Sequence, residues 1–255
     1  MTIEIHTLCV LKDNYCYLLR DVSSGFVAVV DPGEASPIVA ALDKRDWQLD
    51  AVLCTHHHHD HVGGNAELKL LYDCEIVCST YDLKRVPKAT IGLDDGESFS
   101  LGLTQVTAIA IPGHTLGHTA FYIKESDAVF CGDTLFAFGA GRLFEGDAAQ
   151  LRSSLAKLAA LPAQTQAYYG HEYAENNAHF AENLGNAEPA LAKRAAEIRT
   201  RLRAGLMATP GLIGEELATN PFFRVEDPIW RVRYGFNEHD AASAFAELRR
   251  QRDAF

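Results

Sequence analysis

The stretch Asp50-Ala-Val-Leu-Cys-Thr55-His56-His57-His58-His59-Asp60-His61-Val62-Gly63-Gly64 sets five histidines and an aspartate in six consecutive positions behind an apolar run. Residues 50–55 read as a strand. Six titratable side chains in a row cannot be core. Neutral imidazoles and carboxylates are ligands of first-row metals. Side-chain alternation along an extended segment aims His56 and His58 the same way and turns His57 and His59 away. Asp60 and His61 follow one turn further on, where they can face a second ion. The run is internal, so it is not a purification tag.

Three later segments repeat the pattern: Ile111-Pro-Gly-His114-Thr-Leu-Gly-His118, Cys131-Gly-Asp133-Thr134 and Tyr169-Gly-His171-Glu172. Each puts a candidate ligand just past a strand, where α/β folds gather their sites. Asp31 ends a fourth apolar run, Phe26–Val30. It is expected either to cap its turn or to fix the tautomer of a ligand imidazole.

Outward from these motifs, helices are expected over 37–44, 65–72 and 148–160, with strands near 75–78, 104–111, 120–123, 128–131 and 167–169. Alternating strands and helices mixed with hairpins imply a layered α/β architecture. Past His171 the texture becomes helical, over 189–202 and 240–252. The expected division is therefore a catalytic domain over 1–172 and an α-helical, substrate-binding part over 173–255. On a wheel of the last helix Arg252 falls in the apolar stripe, Arg249 at its edge, and Arg250 opposite, in solvent.

Composition narrows the function. The 255 residues are 47% apolar with a net charge of −11, which disfavours a binder of nucleic-acid phosphates. Of this charge, residues 1–172 hold 12 basic against 22 acidic side chains and residues 173–255 hold 11 against 12, so the second part is kinder to an anion. No apolar run reaches the length of a membrane helix, and the N-terminus lacks a basic-then-apolar leader. A cytoplasmic location without membrane contact is the expectation. Six cysteines form no CxxC pair and are expected to be buried free thiols.

His56-x-His58-x-Asp60-His61, with His114, Asp133 and His171, resembles the binuclear motif of the metallo-β-lactamase superfamily. Within it the chain is similar to the hydroxyacylglutathione hydrolases, the glyoxalase II family. The match runs through Asp13-Asn14-Tyr15, Val30-Asp31-Pro32-Gly33, Gly132-Asp133-Thr134, Gly141-Arg142-Leu143-Phe144-Glu145-Gly146, His171-Glu172-Tyr173 and Asn220-Pro221-Phe222 to the basic last helix. The resemblance implies an αββα sandwich with an α-helical C-terminal domain. It also implies two divalent ions, zinc foremost, with iron or manganese equally suited to the ligands. One ion would be held by His56, His58 and His114, the other by Asp60, His61 and His171, with Asp133 bridging. His118 in place of His114 is the alternative.

The implied reaction is hydrolysis of S-D-lactoylglutathione, or a related S-2-hydroxyacylglutathione, to glutathione and D-lactate. It is the second step of methylglyoxal detoxification. Hydroxide held by the two ions would attack the thioester, its pKa lowered to about 7, with Asp60 and Asp133 as the catalytic carboxylates. The substrate contacts implied are Arg142, Phe144, His171, Tyr173, Arg249 and Arg252, the last two for the glutathione carboxylate. Arg142 and Phe144 stand where some relatives carry lysine and tyrosine. The working form is expected to be a monomer. The alternatives are a binuclear hydrolase of another ester, thioester or lactone, and an iron-dependent glutathione persulfide dioxygenase.

Overall fold

The computed structural model describes residues 3–185 and 188–255; Met1 and Thr2, part of the N-terminal stretch read above, lie outside it. The chain divides into two compact units, residues 1–110 with 116–132, and residues 111–115 with 133–255.

The first unit contains β1 (Ile3–Val10), β2 (Asn14–Asp21), β3 (Val27–Val30), α1 (Ser36–Asp43), β4 (Ala51–Leu53), α2 (His59–Val62), α3 (Asn65–Tyr72), β5 (Glu75–Ser79), β6 (Ile91–Leu93), β7 (Ser98–Leu101), β8 (Thr104–Ala110), β9 (Thr119–Ile123) and β10 (Ala128–Gly132). One sheet runs β1-β2-β3-β4-β5-β6, antiparallel to β3 and parallel from there on. Of its parallel strands, β3 and β4 read Val-Ala-Val-Val and Ala-Val-Leu and are buried throughout, the continuous apolar pattern of strands covered on both faces. Against them pack Ile38 and Leu42 of α1 and Leu68 of α3. In the second sheet β7, β8, β9 and β10 form an antiparallel meander. The two sheets meet where Tyr17 packs on Phe130 at 5.3 Å between ring centroids, and Phe26 on Phe99 at 6.2 Å.

The second unit contains β11 (Leu135–Phe136), β12 (Gly139–Ala140), α4 (Ala148–Ala159), β13 (Gln166–Tyr169), α5 (Ala174–Asn183), α6 (Pro189–Arg203), β14 (Gly211–Leu212), α7 (Ile213–Thr219), α8 (Pro221–Arg224), α9 (Pro228–Arg233) and α10 (Ala241–Ala254). Helix α4 starts on a full capping box: Asp147 accepts from the Gln150 amide at 2.8 Å, and the Gln150 side chain accepts from the Asp147 amide at 3.0 Å. Asn220 caps α8 and Asp240 caps α10 through a side-chain oxygen alone, accepting from the Phe222 and Ser243 amides. The core of this unit joins Leu151, Leu155 and Leu158 to Phe222, Phe245 and Leu248.

The apolar runs read from sequence are where the strands and helices are. Five of the six cysteines are buried and all are free; Cys9, on the outer strand β1, is exposed. Among the described residues no helix is long and apolar enough to cross a membrane.

Candidate active site

In the first unit the His-rich loop leaves β4 through Thr55 and packs against the turn behind β3. An added Cβ on Gly33 would lie 2.2 Å from the Asp60 carbonyl oxygen, so only glycine admits this approach. Asp31, buried and left-handed at φ 52°, sits at the centre of the junction. Its carboxylate accepts from the Thr55 amide (2.8 Å), the Thr55 hydroxyl (2.6 Å) and His61 Nδ1 (3.0 Å). A carboxylate accepts only, so His61 carries its proton on Nδ1. The Thr55 proton is spent on Asp31, so Thr55 Oγ1 accepts from His56 Nδ1 at 3.1 Å. One carboxylate thereby fixes two tautomers, and both rings present Nε2 as the lone-pair nitrogen. His56 Nε2 lies 3.1 Å from His58 Nδ1, and His61 Nε2 lies 3.4 Å from an Asp60 oxygen.

The alternation argument also locates the neighbours. His57 turns toward the buried carboxylate of Asp82, at 3.5 Å, and contacts Arg85. His59 is exposed. The His118 ring stacks on that of His56 with centroids 4.7 Å apart and planes within 15°.

In the second unit His114 donates Nδ1–H to the Arg142 carbonyl at 2.8 Å. A carbonyl cannot donate, so His114 also keeps its lone pair on Nε2, 3.6 Å from Asp133 Oδ2. His171 Nε2 lies 3.3 Å from the same oxygen, its ring stacked on Tyr173 at 4.7 Å. In both units, then, a lone-pair nitrogen faces a carboxylate oxygen. Two acceptors at this range repel unless a cation is shared between them, as a proton or as a metal ion. The donor set fits divalent metal ions.

The same unit encloses a cavity of about 340 Å³. His114 and Asp133 line it together with the apolar Phe136, Ala140 and Phe144 and the polar Arg142, Tyr173, Asn177, Arg249 and Arg252. The Phe144 ring stands edge-on to His114 at 5.1 Å. Arg142 is largely exposed, 3.5 Å from Asp253.

The wheel had set Arg252 deeper than Arg249, and the structure reverses them. Arg249 is 3% exposed, donating Nη1–H to the carbonyls of Ala140 (2.6 Å) and Gly141 (3.2 Å) and Nη2–H to Asp253. Carbonyls far away in sequence draw it in, which no helical wheel registers. Burial pushes its guanidinium down to about 10, against the opposing pull of Asp253. Arg252, half-buried, is lowered first by burial and then by the charge of Arg142. Clustered cations that are destabilised by burial and by one another favour an anionic ligand.

Sequence reasoning named Asn14 only as part of the family match and gave it no role; its amide donates to the Asp60 side chain (2.9 Å) and carbonyl (3.2 Å). It likewise gave no role to Asn220, and it missed Asn177. Uncharged amides in ordinary segments carry no signal of this kind; only the Asn-Pro start of α8 hinted at one.

Residues 11–171 match the metallo-β-lactamase superfamily and residues 172–255 match the hydroxyacylglutathione hydrolase C-terminus. The chain is 47% identical to the hydroxyacylglutathione hydrolase of Methylococcus capsulatus, over 99% of both chains. The chain belongs to the hydroxyacylglutathione hydrolase family. A second member, from Rhodospirillum rubrum, is 42% identical over 100% of this chain and 99% of its own. Solved structures at lower identity share its fold. ETHE1 from Myxococcus xanthus superposes with a TM-score of 0.69 at 23% identity, over 97% of this chain and 90% of that one. The protein TTHA1623 in a di-iron-bound form gives 0.62 at 26% identity, over 86% and 99%.

Proposed function

We propose that this chain hydrolyses S-D-lactoylglutathione and related S-2-hydroxyacylglutathiones to glutathione and a 2-hydroxy acid, as its family name describes. The observation that carries this reading is the second unit's cavity, which the metal-type donors His114 and Asp133 line together with Arg142 and Arg252. A thioester belongs at the first group and a peptide carboxylate at the second. Residues 1–172 would supply the chemistry, and 173–255, with Arg142 and Phe144, the hold on the peptide.

Two divalent ions would suit the donors: His56, His58 and His114 would hold one, Asp60, His61 and His171 the other, and Asp133 would serve both. Zinc is the first expectation, with iron or manganese suited to the same ligands. When bound, such a pair lowers the pKa of water and polarises a carbonyl. Asp31 holds the His56 and His61 tautomers, and the Arg142 carbonyl holds that of His114. Of the two arginines expected at the glutathione carboxylate, Arg249 spends its Nη groups on the Ala140 and Gly141 carbonyls and on Asp253, so Arg252 pairs with the carboxylate and Arg249 stands behind it. Arg142, Tyr173 and Phe144 are further contacts, and Asn14 keeps the Asp60 carboxylate in place. The leaving group is a thiol with a pKa near the ~8.5 of cysteine, so it departs as thiolate without a dedicated acid. A cytoplasmic monomer is the working form.

The test is thioester hydrolysis by Arg252→Ala beside the parent. Losing a charge-assisted contact to the peptide should raise KM about 10- to 100-fold and leave kcat within a few-fold. An unchanged KM would remove Arg252 from the reading.

A further inference from the structure

The turn between β11 and β12 is strained. Phe136 pairs with Gly139, so Ala137 and Phe138 make a two-residue hairpin loop. Phe138 is left-handed at φ 59° and fully buried, a conformation that costs a non-glycine residue of its size and persists only where the surroundings over-determine it. They do so here through side chains from distant helices. Asn220 donates to the carbonyls of Phe136 and Gly139, and Glu216 accepts from the Phe138 amide. Asn177 on α5 donates to the Ala137 carbonyl at 3.1 Å.

Asn177 has a second duty. Its Oδ1 accepts from Arg252 Nε at 3.2 Å and Nη2 at 3.1 Å. The two contacts settle the amide's orientation, because a carbonyl accepts and a guanidinium only donates. The fork of Arg252 is thus held along its Nε–Nη2 edge, and Nη1 has no hydrogen-bond partner among the described residues. Asn177 is 4% exposed, and an added Cβ on Gly139 would fall 2.5 Å from its amide nitrogen. The side chain is therefore closely packed where its two sets of hydrogen bonds hold it. Arg252 and the β11–β12 hairpin line the same cavity.

We infer that Asn177 is a positioning residue that orients the Arg252 guanidinium toward the peptide carboxylate of the substrate and registers it against the hairpin wall. This rests on the proposed glutathione thioester reading. It is a role in selectivity for the peptide half, exerted through Arg252.

The experiment is a double-mutant cycle of Asn177→Ala and Arg252→Ala. The readout is the ratio of kcat/KM for S-D-lactoylglutathione to that for the lactoyl thioester of N-acetylcysteamine, which lacks the peptide carboxylates. N177A should lower the ratio about tenfold, chiefly through KM for the glutathione substrate. R252A should lower it at least as much, and the double variant no further than R252A alone, since the amide acts through the arginine. Losses that multiply in the double variant, or an N177A ratio equal to the parent's, would overturn the inference. Should N177A not accumulate as folded protein, Asn177→Ser removes the amide fork and carries the same expectation. A parent that shows no preference for the glutathione substrate would instead defeat the proposed function, and the two failures are distinct.

Discussion

The Asp31 carboxylate accepts from Thr55 twice and from His61, and through Thr55 it also sets His56. Its removal should therefore cost metal rather than fold. Asp31→Ala is expected to weaken metal binding about 10- to 100-fold, read as metals retained per chain after dialysis against a graded chelator. Equal retention in variant and parent would show that the tautomers are fixed some other way. At this scale the sequence was most legible where chemistry concentrates. Five histidines and an aspartate in six positions, and single histidines or aspartates just past strands, announced themselves by residue type. Asn14 did not, because a neutral amide at a strand start is as common as a cap. Nor did the burial of Arg249, since its partners are the carbonyls of Ala140 and Gly141, more than a hundred residues earlier in the chain.

At the scale of elements, long apolar runs gave β3, β4, β5 and β8, and the 3.6-residue period gave α3, α4, α6 and α10 close to their observed ends. Short elements escaped. The β11–β12 hairpin has two residues in each strand, too few for any periodicity, and is held instead by Asn177, Asn220 and Glu216. Helix α5, Ala-Glu-Asn-Asn-Ala-His-Phe-Ala-Glu-Asn, is rich in weak helix formers and owes its stability to packing and to an ion-pair clamp. In that clamp Arg199 of α6 donates to Glu182 at 2.8 Å through both Nη atoms, and through Nε to Glu175. The Glu182 carboxyl is held below its ordinary value by the Arg199 hydrogen bonds, which outweigh the opposing effect of burial, with smaller help from the charges of Arg199 and His179. A carboxylate depressed in the fold stabilises it above the unfolded value of about 4.3, and that contribution is lost as pH falls through the folded value. Arg199→Ala should thus cost about 1 kcal/mol in urea unfolding at pH 7, where the pair is largely solvent-screened. The difference should shrink below pH 4. A cost that is constant from pH 7 to pH 3 would assign it to packing of the arginine stem instead.

For the whole molecule, the acidic balance is concentrated in residues 1–172, which also hold every proposed metal ligand, so bound cations offset local charge as well as serving chemistry. Metal that binds the folded chain and not the unfolded one stabilises it by mass action. Stripping it with a chelator should lower Tm by about 10 °C, and one divalent ion added back should restore part of that and two ions the rest. A Tm indifferent to chelation would mean that the lone-pair nitrogens facing Asp60 and Asp133 share protons rather than metals. The most direct test of a binuclear glutathione thioesterase is the loss of thioester absorbance when protein carrying two metal ions per chain, counted independently, meets S-D-lactoylglutathione. Rapid hydrolysis to D-lactate and free glutathione thiol is the predicted result, and fully metal-loaded protein that leaves the thioester intact would contradict the account.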